Sequence, residues 1–512
     1  MLKSVSLIPV ALYFICLVIL TIYGVHRYWQ VYLFYRNVRK KGQTPASFEH
    51  LPHITVQLPL YNERFVAQRV IEAACRMEYP PDLLQVQVLD DSTDGSAEIV
   101  QAVCQRLKAL GHDVEYVHRV NREGYKAGAL ENGLKSAKGD YIAIFDADFV
   151  PQPDTLLKVV HYFTDKRVAC VQTRWEHINR EQSLLTQCQA VFLDGHFMIE
   201  HTARNRSGRF INFNGTGGVW RKIAITDAGG WQHDTLTEDM DLSYRAQLRG
   251  WKMVFLPEVV SPAELPPEIA AFKQQQHRWT KGSVQTAVKL LPSVMRAALP
   301  WRVKLEAFFH LSSGVVYPMA VLLSILIFPT FCFSDDLRTP QASPILWGTV
   351  MSLFTILTFS AGTFYVVSQR ELGKNWLRCM VMIPFLMAVG MGISLANAVA
   401  VLEGLFGGPS EFIRTPKYGV MAGESRDAWK LRASNFRRKT EWLPFVEIIM
   451  GLYLFICIIA TFAVHRAELC IPFMTIFMIG YFYVGSLSLY SLWLSNSGAA
   501  PVALNNATAR AA

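Results

Sequence analysis

The chain has 512 residues, a formal net charge of +9 and a hydrophobic fraction of 51%. This length exceeds one ordinary core, and the uneven placement of the apolar residues indicates membrane segments around a polar domain. The basic residues lie beside the apolar runs, which favours contact with anionic membrane lipids and argues against nucleic-acid binding. The nine cysteines form no CxxC pair and no zinc-ligand spacing, which argues against a disulfide framework and a structural zinc site.

The N-terminal region, residues 1–44, contains an uncharged apolar run over 5–25 that is long enough to cross a bilayer. An aromatic and basic stretch follows directly, which favours a retained anchor over a signal peptide. Because basic residues accumulate on the cytoplasmic side of membranes, this stretch predicts that the following polar domain is cytoplasmic.

Residues 45–290 alternate short β-rich runs with amphipathic stretches, as in ITVQLPL, VQVLDD, VEYVHR and YIAIFDADF. This β-α-β rhythm predicts a mainly parallel, doubly wound α/β sheet. Ligands bind such sheets beyond the carboxyl ends of the strands. The acidic pairs Asp90–Asp91 and Asp146–Asp148 both fall at predicted strand ends, so we expect the site there.

Beyond an interfacial linker at 291–305, apolar segments dominate the chain. They cover 306–333, 345–367, 380–406, 442–464 and 469–494. If all five crossed the membrane, the basic loop 407–441 would lie outside, against the positive-inside rule. We therefore expect 380–406 to be re-entrant or interfacial, which leaves five crossings in total and a cytoplasmic C-terminus. The tail 495–512 is predicted to be disordered.

Asp146 and Asp148 share one face of the strand end, because alternate residues of a strand point the same way. Such a pair suits a hard divalent ion, Mg²⁺ or Mn²⁺, that also binds substrate phosphates. A turn or a helix cap explains an isolated DxD equally well. Two further motifs strengthen the site interpretation.

The first of these motifs is Thr237-Glu238-Asp239, at the start of a helical stretch. Its acidic residues complement the helix dipole, or one of them is a general base that faces the cleft. The second motif is QQQHRW, which contains Gln275, Arg278 and Trp279. This motif is either an interfacial membrane anchor or part of the site. In the site, Arg278 would be a cation for the leaving diphosphate and Trp279 an aromatic face for a sugar ring.

In order and spacing, VQLPLYNE, LDDSTD, GYKAGAL, FDADF, NGTGGVWR, TEDMDL and QQHRW resemble the membrane-embedded inverting glycosyltransferases of family 2. Within that family the chain looks most like the plant-type glucomannan (β-mannan) synthases of the cellulose-synthase-like group. The resemblance covers about residues 50–290 closely and implies a GT-A-type catalytic domain inserted between transmembrane helices.

The resemblance also assigns roles to residues. It implies that Asp239 is the catalytic base and that Asp146 and Asp148 bind the metal–diphosphate. The nucleotide-sugar donor would be held by residues of several motifs: Glu63, Asp90, Asp91, Lys126, Asp146, Asp148, Gln275 and Arg278. The acceptor site would comprise Glu238, Trp279, Asn214, Gly215 and Thr216. A gating-like loop, EFIRTPKYG, resembles the FxVTxKG loop of cellulose synthase through Phe412, Thr415 and Lys417, with Arg414 and Pro416 as departures.

The function implied is transfer of a hexose from GDP-mannose, GDP-glucose or UDP-glucose to a growing β-1,4-linked polysaccharide that is passed across the membrane. The alternative is transfer of one hexose to a lipid such as ceramide or diacylglycerol. A third possibility, an inactive scaffold or transporter, predicts broken motifs, whereas all the acidic positions are intact. The expected location is multi-pass in the inner membrane of a bacterium or the Golgi membrane of a eukaryote.

Overall fold

The computed structural model of the chain describes residues 2–38, 45–333, 344–408, 414–420, 442–464 and 468–496. Within these residues one sheet of seven strands has the order β3-β2-β1-β4-β6-β5-β7. The strands are β1 Ile54–Leu60, β2 Leu84–Asp90, β3 Val114–His118, β4 Tyr141–Ile144, β5 Val168–His177, β6 Gly218–Arg221 and β7 Lys252–Ala263. Neighbouring strands are parallel except β6, which is antiparallel to both β4 and β5. The predicted mainly parallel α/β sheet is confirmed.

Helices cover both faces of the sheet, and the side chains of each strand alternate between the two cores. The helices of this domain are α2 Ala67–Cys75, α3 Ser96–Ala109, α4 Tyr125–Gly133, α5 Thr155–Val160, α6 Leu184–Asp194, α7 Thr202–Arg206, α8 Lys222–Asp227 and α9 Glu238–Leu248, with a π-helical segment Gly195–His201 between α6 and α7. In β4, Tyr141 and Ala143 pack into one core with the helices α2, α3 and α5. Ile142 and Ile144 pack into the other core, with α4, α8 and α9.

Long apolar helices precede and follow the sheet domain. The helices outside this domain are α1 Leu2–Asn37, α10 Ile269–Arg296, α11 Trp301–Leu311, α12 Val316–Phe333, α13 Pro344–Glu371, α14 Trp376–Gly392, α15 Ser394–Phe406, α16 Leu443–Val464 and α17 Ile471–Asn496. Among the described residues, five stretches are long and apolar enough to cross a membrane: Ile8–Asn37, Ser313–Thr330, Pro344–Glu371, Leu443–Ala463 and Ile471–Trp493. The chain is therefore a multi-pass membrane protein with the sheet domain between its first and second candidate spans.

Two segments differ in detail from the expectations. The interfacial stretch 291–305 is largely helical, because α10 runs to Arg296 and the amphipathic α11 begins at Trp301. The expected apolar segment 380–406 forms α14 and α15, which are bent by 42° at a one-residue break. Both a broken span and a re-entrant pair fit this bend, so the re-entrant assignment stays a prediction. Of the basic loop 407–441, only residues 407–408 and 414–420 are described, and the tail after 496 lies outside the described residues.

Candidate active site

The DxD aspartates lie just beyond β4, and each is paired with a lysine. Lys126 Nζ, from the second position of α4, lies 2.5 Å from Asp146 Oδ1. Lys417 Nζ lies 2.6 Å from Asp148 Oδ2. Burial alone would lower the pKa of Lys126, but the carboxylates of Asp146, Glu238 and Asp239 together outweigh it and raise this pKa, so the ammonium stays charged. Two carboxylates and two ammonium groups therefore meet at the carboxyl edge of the sheet.

The DxD pair fits a hard divalent cation. Asp148 is buried, and its Oδ1 has no hydrogen-bond partner among the described residues, which leaves a carboxylate oxygen available as a ligand. The described residues contain no group of three or more His, Cys, Asp or Glu side chains that could hold a metal. The protein would therefore supply two carboxylates, and substrate phosphates would complete the coordination.

The turn Asn214-Gly215-Thr216 joins the donor side of the site to Asp239. Thr216 Oγ1 accepts a hydrogen bond from the Asp146 backbone N–H at 2.9 Å, and the Gly215 carbonyl accepts one from Lys126 Nζ at 2.9 Å. Gly215 has φ +79°, and a Cβ at this position would lie 3.2 Å from Asp239 Oδ2. Glycine is required here both by the left-handed backbone and by this close approach.

Glu238 and Asp239 occupy the first turn of α9, where the helix N-terminus favours negative charge. The Met240 backbone N–H donates to Asp239 Oδ1 at 2.8 Å. Burial, reinforced by the neighbouring Glu238 carboxylate, nevertheless raises the pKa of Asp239 to about 7. A carboxylate with such a pKa is well matched to a general base near neutral pH.

Helix α10 carries the QxxRW residues and packs against the TED motif. A Cβ on Gly282 would lie 2.9 Å from the Thr237 backbone nitrogen, so the glycine allows this close packing. Burial lowers the pKa of the Arg278 guanidinium. The nearby carboxylates of Glu238, Asp146 and Asp239 oppose this shift. Asp239, the predicted base, and Arg278, the predicted diphosphate cation, are thus held by two helices in direct contact.

The predicted nucleotide ligands Glu63, Asp90 and Asp91 have different surroundings. Asp91 Oδ1 accepts a hydrogen bond from Arg119 Nε at 2.8 Å, and Asp91 lines the donor-side cavity. Asp90 is fully buried and accepts from the Ser92 backbone N–H and the Tyr116 hydroxyl. It therefore supports the strand end and does not line the cavity.

The segment 414–420 crosses the donor side of the site. Arg414 Nη1 lies 2.6 Å from Glu63 Oε1. Burial raises the pKa of Glu63 to about 7 even though the Arg414 charge opposes this shift. The backbone N–H groups of Tyr418 and Val420 donate to Glu264 and anchor the segment. Thr415 and Lys417 of the predicted gating-like loop line the cavity, whereas Phe412 lies outside the described residues.

Two cavities meet at Asp239. The donor cavity, of about 160 Å³, is lined by both DxD aspartates, Lys126, Glu238 and Arg278. The channel cavity, of about 570 Å³, extends from the site between the apolar helices. Residues that line both cavities are Trp175, Leu193, Asn214, Thr237, Asp239, Gln275 and Trp279. The acceptor-site predictions Asn214 and Trp279 thus lie at the junction, beside the predicted base.

Several site residues escaped the sequence analysis. Trp175 of β5 lies at the cavity junction, where its ring is 6.2 Å from that of Trp279 and its Nε1 donates to the Thr216 carbonyl. The Arg122 guanidinium stacks 3.5 Å over the Tyr61 ring in the donor cavity. Trp175 and Arg122 belong to none of the quoted motifs, and Tyr61 lies in VQLPLYNE without a role assigned to it, so only the fold reveals this arrangement.

Comparisons with known proteins agree with this site. Residues 52–282 match the family described as Glycosyltransferase like family 2. Glucomannan 4-beta-mannosyltransferase 2 of Arabidopsis thaliana is 35% identical over 80% of this chain and 76% of its own length. Glucomannan 4-beta-mannosyltransferase 1 of Oryza sativa subsp. japonica is 35% identical over 79% and 77%. Among solved structures, the mannosyltransferase PcManGT from Pyrobaculum calidifontis, in complex with GDP-Man and Mn²⁺, shares the fold. The TM-score is 0.50 and the sequence identity 20%, and the match covers 79% of this chain and 99% of that one.

The fold and the site define a nucleotide-sugar glycosyltransferase of the GT-A class. The described motif residues line one cleft, except Asp90 and Thr216, which are buried and line neither cavity. Within the family 2 glycosyltransferases, this chain belongs to the family of the glucomannan 4-beta-mannosyltransferases.

Proposed function

We propose that the protein is an inverting, processive β-1,4-mannan synthase that uses GDP-mannose. The observation that carries this proposal is the position of Asp239 at the junction of the two cavities. The sugar follows from the relatives, which are named as glucomannan 4-beta-mannosyltransferases. The nucleotide follows the GDP-Man complex of the fold neighbour, and GDP-glucose and UDP-glucose are the donors to compare with it.

The residues account for a single in-line displacement. Asp239 removes the proton of the acceptor hydroxyl, which attacks the anomeric carbon of the donor sugar. Lys126 and Arg278 face the position of the departing diphosphate and stabilise its negative charge. Asp146 and Asp148 would hold Mn²⁺ or Mg²⁺, which as a Lewis acid neutralises charge on the diphosphate. Since the displacement is direct, no nucleophile of the enzyme is needed and the product is β-linked.

The channel cavity suits a polysaccharide acceptor that leaves through the membrane region. Its lining includes the aromatic side chains Tyr23, Trp175, Phe192, Phe197, Trp279, Phe309, Tyr317, Phe354, Phe364, Tyr365, Phe473 and Phe477. Aromatic faces pack against the apolar faces of sugar rings and permit sliding, because they make few directional contacts. Residues of α1, α12, α13 and α17 contribute to this lining. We therefore infer that each added sugar pushes the polysaccharide between these helices.

The loop segment 414–420 is proposed to close over the bound donor. Lys417 would move from Asp148 to the diphosphate when the donor and its cation bind, since Lys417 and the cation compete for the same carboxylate. The basic character of the surrounding sequence supports a cytoplasmic position for this loop and the catalytic domain.

Isolated membranes that contain the full chain test this proposal. They are incubated with radiolabelled GDP-mannose, Mn²⁺ and a β-1,4-mannan oligosaccharide, and we expect a labelled product that stays insoluble in chloroform–methanol and is cleaved by an endo-β-1,4-mannanase. Asp239→Asn should reduce the product at least about a hundredfold. Asp113→Asn, which changes a surface carboxylate that lines neither cavity, is the matched control. Label extracted into chloroform–methanol would instead establish the lipid acceptor, and labelling only from UDP-glucose would refute the donor.

A further inference from the structure

The π-helical segment Gly195–His201 brings a histidine to the acceptor side of the site. His196 is 27% exposed and lines the channel cavity. Gly195 lets this segment approach the membrane helix α13, since a Cβ there would lie 2.5 Å from Phe364 Cε1. π-helical segments within α-helices are frequent at functional sites. None of the motifs that place the catalytic residues includes this segment.

His196 connects Asn214 to a buried chain of charges. Its Nε2 is hydrogen-bonded to Asn214 Oδ1 at 3.0 Å, and its Nδ1 to Glu200 Oε2 at 3.0 Å. The other side-chain atom of this amide, Asn214 Nδ2, is hydrogen-bonded to His201 Nε2 at 2.9 Å. The Asn214 backbone N–H donates to Gln172 Oε1, so both the backbone and the side chain of this residue are held in position.

The chain of charges continues to the first membrane helix. Arg204 lies 3.5 Å from Glu200 and 3.1 Å from Glu306, and Glu306 lies 3.1 Å from His26 of α1. Burial alone would raise the pKa of Glu200, but Arg204 and the bond with His196 outweigh it and lower the pKa to about 2. Burying charged groups costs free energy, so these ion pairs are weak evidence for a stabilising role. They are better evidence that the positions of the paired side chains matter.

We propose that His196 is a positioning residue of the acceptor site, which holds the Asn214–Gly215 turn against Asp239 at the cavity junction. The inference rests on the proposed function. It follows from geometry, because Gly215 faces Asp239 Oδ2 while its neighbour Asn214 is bonded to His196. Without His196 the turn loses its link to Glu200, and the acceptor hydroxyl is presented less accurately to the base. The donor keeps its own contacts with Lys126 and the DxD pair.

Steady-state kinetics of the full-length enzyme in membranes test the proposal, with GDP-mannose as donor and a β-1,4-mannan oligosaccharide as acceptor. We expect His196→Leu to raise the acceptor KM about tenfold, the equivalent of one lost hydrogen bond, with the donor KM unchanged. His196→Gln, whose side-chain amide can still bond Asn214, should recover most of the acceptor affinity. His50→Leu, at an exposed histidine that lines neither cavity, is the control.

A double variant separates positioning from a general loss of structure. If His196 acts through Asn214, His196→Leu combined with Asn214→Ala should be no worse than Asn214→Ala alone. Additive losses, an unchanged acceptor KM in His196→Leu, or a parallel rise in donor KM would each overturn the inference. Failure of the wild-type membranes to extend the oligosaccharide would overturn the proposed function together with this inference, so the two failures are distinguishable.

Discussion

Gly215→Ala would test whether the turn at 214–216 controls catalysis through direct contact. The new Cβ would lie 3.2 Å from Asp239 Oδ2, so this carboxylate must shift by a few tenths of an ångström, whereas the 3.4 Å to Lys126 Nζ is an ordinary contact. Misplacement of reacting groups by 1 Å costs about a hundredfold in rate, and a shift of a few tenths of an ångström therefore corresponds to about a fourfold loss in kcat. The alanine must also adopt φ +79°, which costs about 1–2 kcal/mol of stability.

Gly208→Ala separates these two effects. Gly208 has φ +71°, and nothing lies within 4 Å of the position that a methyl group would take, so its substitution carries the backbone strain alone. Initial rates of mannan synthesis and thermal unfolding of the detergent-solubilised enzyme measure both effects. We expect similar losses of stability in the two variants, with the loss of kcat confined to Gly215→Ala. A wild-type rate in Gly215→Ala, or an equal loss in Gly208→Ala, would refute the steric argument.

Three further predictions concern charges. Asp239→Asn should reduce synthesis by about 10²–10⁴-fold. In the wild-type enzyme the pKa of Asp239 is raised to about 7, so the fraction of ionised Asp239 should fall as the pH falls through that value. The initial rate should therefore decline below about pH 7 and reach a plateau above it. Lys417→Gln frees Asp148 Oδ2 and should lower the half-saturating Mn²⁺ concentration about tenfold; an unchanged Mn²⁺ titration would contradict competition at this oxygen. Lys273→Met removes the buried ion pair, 2.5 Å long, between Lys273 and Glu447 of α16, and should destabilise the protein by about 3–5 kcal/mol in thermal unfolding, whereas the additional change Glu447→Leu should restore stability.

The sequence predicted the parts of the site that depend on strand ends and short motifs. The run YIAIFDADF requires Asp146 and Asp148 to emerge at the carboxyl edge of a sheet, because a buried apolar strand must end where charge begins. The residues Glu238 and Asp239 were placed at a helix start for a similarly local reason. Predictions from local patterns of this kind hold in the folded protein, because they do not depend on which distant segment packs beside the pattern.

Long-range packing accounts for what the sequence could not predict. Trp175 lies within a largely buried strand, β5, and only the close approach of α10 makes its ring part of the junction with Trp279. The pairing of Lys417 with Asp148 spans more than half the chain. Asp90 and Asp91 are adjacent, yet Asp90 ends β2 and does not line the cavity, whereas Asp91, the first residue beyond that strand, does. The bend between α14 and α15 has no signal that distinguishes crossing from re-entry.

The two lysines that pair with the DxD aspartates also affect how the protein behaves when substrate is scarce. Because Lys126 and Lys417 already compensate both carboxylates, the catalytic domain can fold during synthesis without a cation or a sugar nucleotide as a template. A site without donor or cation therefore keeps its carboxylates compensated, and a shortage of substrate leaves the charge balance of the folded domain intact.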